Sequence, residues 1–312
     1  MKRGVTQYMI KLLIMSIPSY PNFKPLERED KELFENYYFR RKIEISDHAF
    51  TNYYIWRKID QPQLTIIAGC LCALVMGPDK RRHFMMPLGD GDVKEAGKIC
   101  LEHTGSIIRA DYHFKEAVGQ NEQYEIVEDR DNFDYVYLTK DIAGLKGRNY
   151  DGKRNHINAF LKNNIYVYEK MEKKHIDACI ELNDIWCESK KKESEGFPNL
   201  ECEAEAARET LLNKDFLGLI GGVIIVNDKI LAFSLGQKLT EDTAVIHIEK
   251  SDPAVRGAAQ LINREFASNE LANFTYINRE QDMGHPGLRR AKMSYHPVEL
   301  KKKYNIRMKN DG

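Results

Sequence analysis

One order of elements occurs twice along this chain: helix, helix, hairpin, strand, helix, strand. In the first copy, charged and aromatic residues alternate at helical spacing from Glu29 to Arg40. "QLTIIAGCLCALVMG" (Gln63–Gly77) is apolar and β-rich, and "RRHFMMPL" (Arg81–Leu88) pairs with it across the turn Gly77-Pro78-Asp79. "DVKEAGKICLEHTG" (Asp92–Gly105) opens on an acidic N-cap and closes on glycine, which predicts a helix. "SIIRAD" and "FDYVYL" read as short strands flanking a helical turn.

The second copy runs through "KKHIDACIELNDIWCESK" and "EAEAARETLLNK", both amphipathic, to the hairpin "LGLIGGVIIVNDKILAFSLGQKL", turned by Asn227-Asp228-Lys229. "TAVIHIEK" is a strand, "AAQLINREFASNEL" a helix and "FTYINRE" the next strand. The order predicts an α/β chain of two tandem units, each a mixed sheet flanked by helices. The expected boundaries are a tail over 1–22, an N-terminal domain with a linker helix over 23–162, and a C-terminal domain over 163–312.

With 312 residues, 42% hydrophobic and 30% charged, the chain can bury cores of that size. Lysine plus arginine equals aspartate plus glutamate at 47 each, which excludes a dedicated nucleic-acid coat but permits a local basic patch. The six cysteines form no CxxC pair, and Cys70 and Cys72 on one strand face cannot bridge each other. Reduced, buried thiols and a cytoplasmic location are expected. The apolar start "MKRGVTQYMIKLLIMSIPSYP" is broken by Lys11 and is too short for a membrane span of about 20 residues. A translation start at Met15, with a loose tail before it, is the simpler expectation.

Three stretches can carry chemistry. In "HIEKSDPAVRGAAQLINREF" a strand ends at Glu249-Lys250, and Arg256-Gly257-Ala258-Ala259 opens a helix whose free N–H groups suit a phosphate. An ordinary strand-to-helix turn at Gly257 is the plain alternative. In "LKGRNYDGKRNHINAFLKNN", Arg148, Lys153, Arg154 and Asn155 lie near a helix start, where cations oppose the helix dipole unless an anion sits close; a solvated linker helix is the alternative. "INREQDMGHPGLRRAKMSYHP" ends a strand in Asn278, Arg279, Glu280, Gln281 and Asp282, then supplies Arg289, Arg290, Lys292 and Tyr295. Mutual salt bridges would account for these charges without a site. Histidines lack metal-ligand spacing, so no metal is expected. No GxSxG elbow, Walker loop or GxGxxG is present.

"GRNYDGKRNHINAF", "INREQDMGHPGLRRAKMSYHP" and "ISDHAFTNYYIWR" together resemble a bacterial family grouped with the C-terminal domain of phosphatidylglycerol lysyltransferase, over Phe23 to the end. The resemblance implies two tandem GNAT-like (acetyltransferase-type) folds and acyl or aminoacyl transfer to an amine or hydroxyl acceptor. By position, it places a donor's pyrophosphate on Lys250, Arg256, Gly257, Ala258 and Ala259. The sequence departs from the glycine-rich acyl-CoA signature there, and Pro253 removes an N–H donor. The lysyltransferase relatives draw instead on aminoacyl-tRNA, and Arg148, Lys153, Arg154, Arg289, Arg290 and Lys292 would suit its acceptor end.

Those relatives carry membrane spans ahead of this domain. None is read here, so a lipid acceptor is not implied. Transfer needs a base, for which Glu249, Glu280 and Asp282 are candidates, and a proton donor, for which Tyr295 and Tyr304 are candidates. Asn155 and Asn278 join the expected substrate-binding set. A non-catalytic relative binding a nucleotide-like or RNA ligand is the rival reading.

Overall fold

The structure is a computed structural model that describes residues 16–41, 43–119, 121–193 and 200–309. The expected start at Met15 falls outside the described residues.

Among the described residues, fourteen strands form two seven-stranded sheets. The first is built from β1 (Lys24–Pro25), β2 (Gln63–Ile67), β3 (Cys70–Met76), β4 (Arg82–Met85), β5 (Ser106–Ala110) and β6 (Tyr124–Glu128), with β14 (Tyr304–Met308) between β5 and β6. The second is built from β8 (Val167–Lys170), β9 (Ile220–Val226), β10 (Lys229–Lys238), β11 (Thr243–Ser251), β12 (Tyr276–Asn278) and β13 (Glu299–Lys301), with β7 (Asp134–Leu138) between β12 and β13. The orders β1-β2-β3-β4-β5-β14-β6 and β8-β9-β10-β11-β12-β7-β13 correspond strand for strand. In each, a helix carries the chain between two parallel strands: Val93–Thr104 joins β4 to β5, and Ala258–Asn269 joins β11 to β12.

The copies differ from a plain duplication in one respect. Strand β7 follows the first copy in sequence yet completes the second sheet, while β14 ends the chain and completes the first. The compact units follow this exchange: residues through Phe133 with those from Lys301 onward, and Asp134–Leu300. They divide at 133/134 and 300/301, whereas the sequence reading divided the chain after 162. Hydropathy identifies a strand but not the sheet that receives it.

Local signals operate as read. Asn227 and Asp228 have φ of 47° and 63°, the left-handed pair that a two-residue hairpin turn needs. Asp92 accepts from the backbone N–H groups of Lys94 and Glu95 at 3.1 Å, and Gly105 closes that helix at φ 76°. The stretch expected as a tail does not hang free where it is described. Ile66 donates its N–H to Pro18 O, Tyr20 donates to Ile66 O, and Ile17 is buried.

In the second unit, Tyr135, Tyr137, Ile224, Ala232 and Ile246 of the sheet pack with Phe160 and Phe266 of the helices Asp151–Asn163 and Ala258–Asn269. All six cysteines are free, five of them buried. No helix among the described residues is long and apolar enough to cross a membrane.

Candidate functional site

Strands β11 and β12 pair over only three rungs, Thr243 with Tyr276, Ala244 with Ile277, and Val245 with Asn278. β11 continues to Ser251, while β12 stops at Asn278. Asn278 causes the stop. Its Nδ2 donates to Asp134 Oδ2 at 2.9 Å and its Oδ1 accepts from the N–H of Glu280 at 2.7 Å, bending the chain away with Glu280 at φ 54°. A non-glycine residue in that region is strained.

The opening is lined by charge. Glu249 accepts from Arg279 Nη2 at 2.8 Å and from Asn263 Nδ2 at 3.1 Å. The guanidinium carbon of Arg279 lies 5.1 Å from the ring centre of Tyr295 and 5.8 Å from that of Tyr137. Lys153 places Nζ 4.0 Å from the same Tyr295 ring and 2.6 Å from Ser294 Oγ. Burial, and then the nearby Arg279, hold the Lys153 ammonium below the ordinary lysine range. Burial also opposes the charge on Arg279, but Glu249, with Tyr137 and Tyr295, outweighs it and the guanidinium stays charged. Burial raises the hydroxyls of Tyr137 and Tyr295, which are therefore protonated at neutral pH.

A second set of contacts ties the loop after β12. Lys292 points inward from the helix Pro286–Met293 and donates to the carbonyls of Arg279, Glu280 and Gln281 at 2.5, 3.0 and 2.6 Å. Burial, with the repulsion of Arg279, lowers its pKa to about 7. Asp282, fully buried, accepts two bonds from Arg289 at 2.8 and 2.9 Å, one from Tyr135 Oη at 2.5 Å and one from the Gly284 N–H at 2.9 Å. Burial resists its charge, but these donors together bring its pKa down to about 2. Glu280 turns the other way, and its Oε1 lies 2.8 Å from His247 Nδ1.

Where β11 meets the helix Ala258–Asn269 there is a cleft of about 430 Å³. His156, Trp186, Lys190, Arg256, Gly257 and Ala259 are among its lining residues. The N-cap of that helix is Gly257, which has no side chain to cap it. Gly257 has φ 91°, and a Cβ there would meet His156 O at 2.2 Å, so the glycine is required by the packing of two helices.

Residues 40–307 match the model of the family described as phosphatidylglycerol lysyltransferase, C-terminal. That span covers both sheets apart from β1 and the last residue of β14. The chain belongs to this family.

A conserved protein of Bacteroides thetaiotaomicron, of unknown function, is 32% identical over 92% of this chain and 99% of its own, with a TM-score of 0.83. L-PGS of Bacillus licheniformis shares the fold at a TM-score of 0.57 and 15% identity, over 80% of this chain and 85% of that one. A curated relative, an uncharacterised protein of Mycoplasmoides gallisepticum, is 27% identical over 180 residues, 56% of each chain. The match thus spans little more than half the length of that relative. The two sheets are the two tandem mixed α/β halves expected from the sequence.

Within this family member the expected site residues fall into separate groups. Glu249, Arg279, Tyr295 and Lys153 come together at the opening. Asp282, Arg289, Lys292 and Asn278 do not reach into a cleft as anticipated: their polar atoms close on one another and on the backbone, and they hold the loop. Lys250 projects from the other face of β11, paired with Glu203 and 3.1 Å from the Trp186 ring centre. Tyr304 belongs to the first unit, on β14, where Lys115 sits 5.4 Å from its ring.

Arg154 is engaged by its own helix start, donating to Leu145 O, to Gly147 O at 2.9 Å and to Asp151. No external anion is needed to explain it. Arg148 and Asn155 are exposed, as is Arg256 on the cleft rim, while Ala258 is buried in the core. Sequence reading passed over His247, Tyr137 and Asn263. His247, two residues before Glu249 on a strand, carried the one available signal: a polar side chain interrupting an apolar run.

Proposed function

We propose that the protein is an aminoacyltransferase that takes an aminoacyl group from its ester on tRNA and passes it to an amine or hydroxyl acceptor. The observation that carries the reading is the opening of β11 from β12 after three rungs, with Lys153, Arg279 and Tyr295 on its wall. Membership in the lysyltransferase family supports the reaction class. In the reaction the acceptor's nucleophilic atom bonds to the ester carbonyl carbon, the bond to the tRNA 3′ oxygen breaks, and that oxygen leaves protonated.

Two charges at the opening suit this course. Lys153 carries an ammonium disfavoured by burial and by Arg279, so an arriving phosphate or developing oxyanion relieves it. Arg279, held charged by Glu249, supplies a fixed positive dipole beside the same ring. Acyl-CoA fits less well. The backbone of His156 already fills the space over Gly257, and Pro253 has no N–H to offer.

The test is protein-dependent release of label from bulk tRNA charged with tritiated amino acids, together with filter binding of that tRNA. The expected result is saturable binding and release above the uncatalysed rate. Saturable binding without release would favour the RNA-binding rival. Neither binding nor release would end the reading.

A further inference from the structure

The geometry points to Glu280 as the general base of this site and to His247 as the residue that positions it; we infer this on the reading that the site transfers aminoacyl groups. Three irregularities converge on the pair. The first is in β11. Its register against β10 slips between Leu235 and Gly236, so that Leu235 faces Ile248 and Gly236 faces Ile246, leaving His247 as the extra residue of a bulge. A bulge re-aims a side chain, and this one lies just past Val245, the last rung shared with β12. Gly236 is part of the same construction, since a Cβ there would meet Val245 O at 2.3 Å.

The second irregularity is Glu280. At φ 54° it keeps a backbone conformation that non-glycine residues avoid, and the result is a carboxylate aimed at His247 Nδ1, 2.8 Å away. The third is the far side of the imidazole. The His247 side chain is wholly buried, and its Nε2 has no hydrogen-bond partner among the described residues. A histidine kept for stability would satisfy both nitrogens, because a buried unmet polar atom costs about 1–3 kcal/mol. With Nε2 unpaired, the ring's one polar contact is with Glu280. A carboxylate only accepts, so Nδ1 carries a hydrogen and donates it to Glu280.

The carboxylates at the opening differ in what stands beside them. Glu249 takes Arg279 and Asn263, and Asp282 is saturated and fully buried. Glu280 keeps 17% of its side chain exposed, so it can meet an acceptor while His247 stays behind it. It takes the proton from the acceptor's N–H or O–H as the new bond to the carbonyl carbon forms, then returns it to the departing tRNA oxygen. Protons balance over the cycle. The charged groups around Glu280 are its neighbour Arg279 and Lys292 from the helix Pro286–Met293, and Lys292 in turn feels Glu280, Asp282 on the same loop and Asp134 at the start of β7.

The experiment measures kcat and KM of label release from bulk charged tRNA for wild type, E280Q, H247N and H247Q, with binding and thermal melts in parallel. Asparagine places its N–H₂ where Nδ1 was, and glutamine places it where Nε2 was. E280Q should lose at least about 100-fold in kcat with binding unchanged. H247N should stay within about fivefold of wild type. H247Q should fall about tenfold or more in kcat, with KM, binding and the melting temperature unchanged, because the carboxylate has lost the N–H that orients it. Equal rates for H247N and H247Q, or an H247Q loss that appears in KM or in the melting temperature instead of kcat, would overturn the assignment. Wild type that binds charged tRNA yet never releases label would overturn the transferase reading, and this assignment with it.

Discussion

Glu249 stands on β11 and Arg279 one residue past the end of β12, where the two strands have already parted, yet their side chains meet at 2.8 Å. Each is about 15% exposed, so the pair bridges the opening from within the protein layer rather than from solvent. Removing one partner leaves the other buried and uncompensated, which typically costs about 3–5 kcal/mol. Arg279→Ala should therefore lower unfolding stability by that order, measured as the urea midpoint. The double variant Arg279→Ala with Glu249→Ala should recover part of the loss. A single variant as stable as wild type would contradict the pairing.

Lys292 makes stability depend on alkaline pH. Its folded pKa of about 7 lies below the ordinary 10.5, so between these values the unfolded chain binds more protons than the native one. Stability from this group therefore rises as pH climbs from about 7 toward 10.5, with a slope approaching ~1.4 kcal/mol per pH unit. Lys292→Met removes that slope. Urea denaturation at pH 7, 8.5 and 10 should show the gap between wild type and variant widening in favour of wild type. A constant gap would contradict it.

Asp282 works in the opposite range. Its folded pKa of about 2 lies below the unfolded 3.8, so its contribution is present above pH 4 and fades as pH falls toward 2. Asp282→Asn should cost about 2 kcal/mol at pH 7 and almost nothing near pH 2. Thermal melts at several pH values measure the difference. A penalty that persists at pH 2 would assign the effect to shape instead of charge.

The two neighbouring cations Lys153 and Arg154 should part company in binding assays. Lys153→Ala should reduce the salt slope of charged-tRNA binding by about one. Arg154, engaged by Leu145 O, Gly147 O and Asp151, should leave that slope unchanged when replaced by alanine, and lower the melting temperature instead. Identical salt slopes for the two variants would remove Lys153 from the patch.

The thiols offer a check on both sheets. Denatured without reductant, the chain should titrate six free thiols, while the native protein should react chiefly at Cys202, the cysteine that is not buried. Fewer than six in the denatured chain would reveal a bridge.

Some of this was written in the residues alone. Apolar alternation, the Asn227-Asp228 turn, the Asp92 cap and the Gly105 stop are local devices, and local devices act through near neighbours in the chain, so they can be read before anything is folded. Their order was enough to announce two α/β copies and to place polar residues where a strand ends. The exchange of β7 and β14 was not readable, because either strand pairs equally well by pattern and only the packed sheets select one. The site was half legible for the same reason.

Glu249, Glu280, Lys153 and Tyr295 carry polar or aromatic groups that the sequence displays openly. Which of them remain available depends on partners far along the chain. Asp282 is closed off by Tyr135, 147 residues away, and Lys292 by three carbonyls that have no sequence signature. His247 meets Glu280 only because a bulge and a strained φ turn them toward each other. Residue type sets what a group can do; the long-range contacts decide which groups are left free to do it.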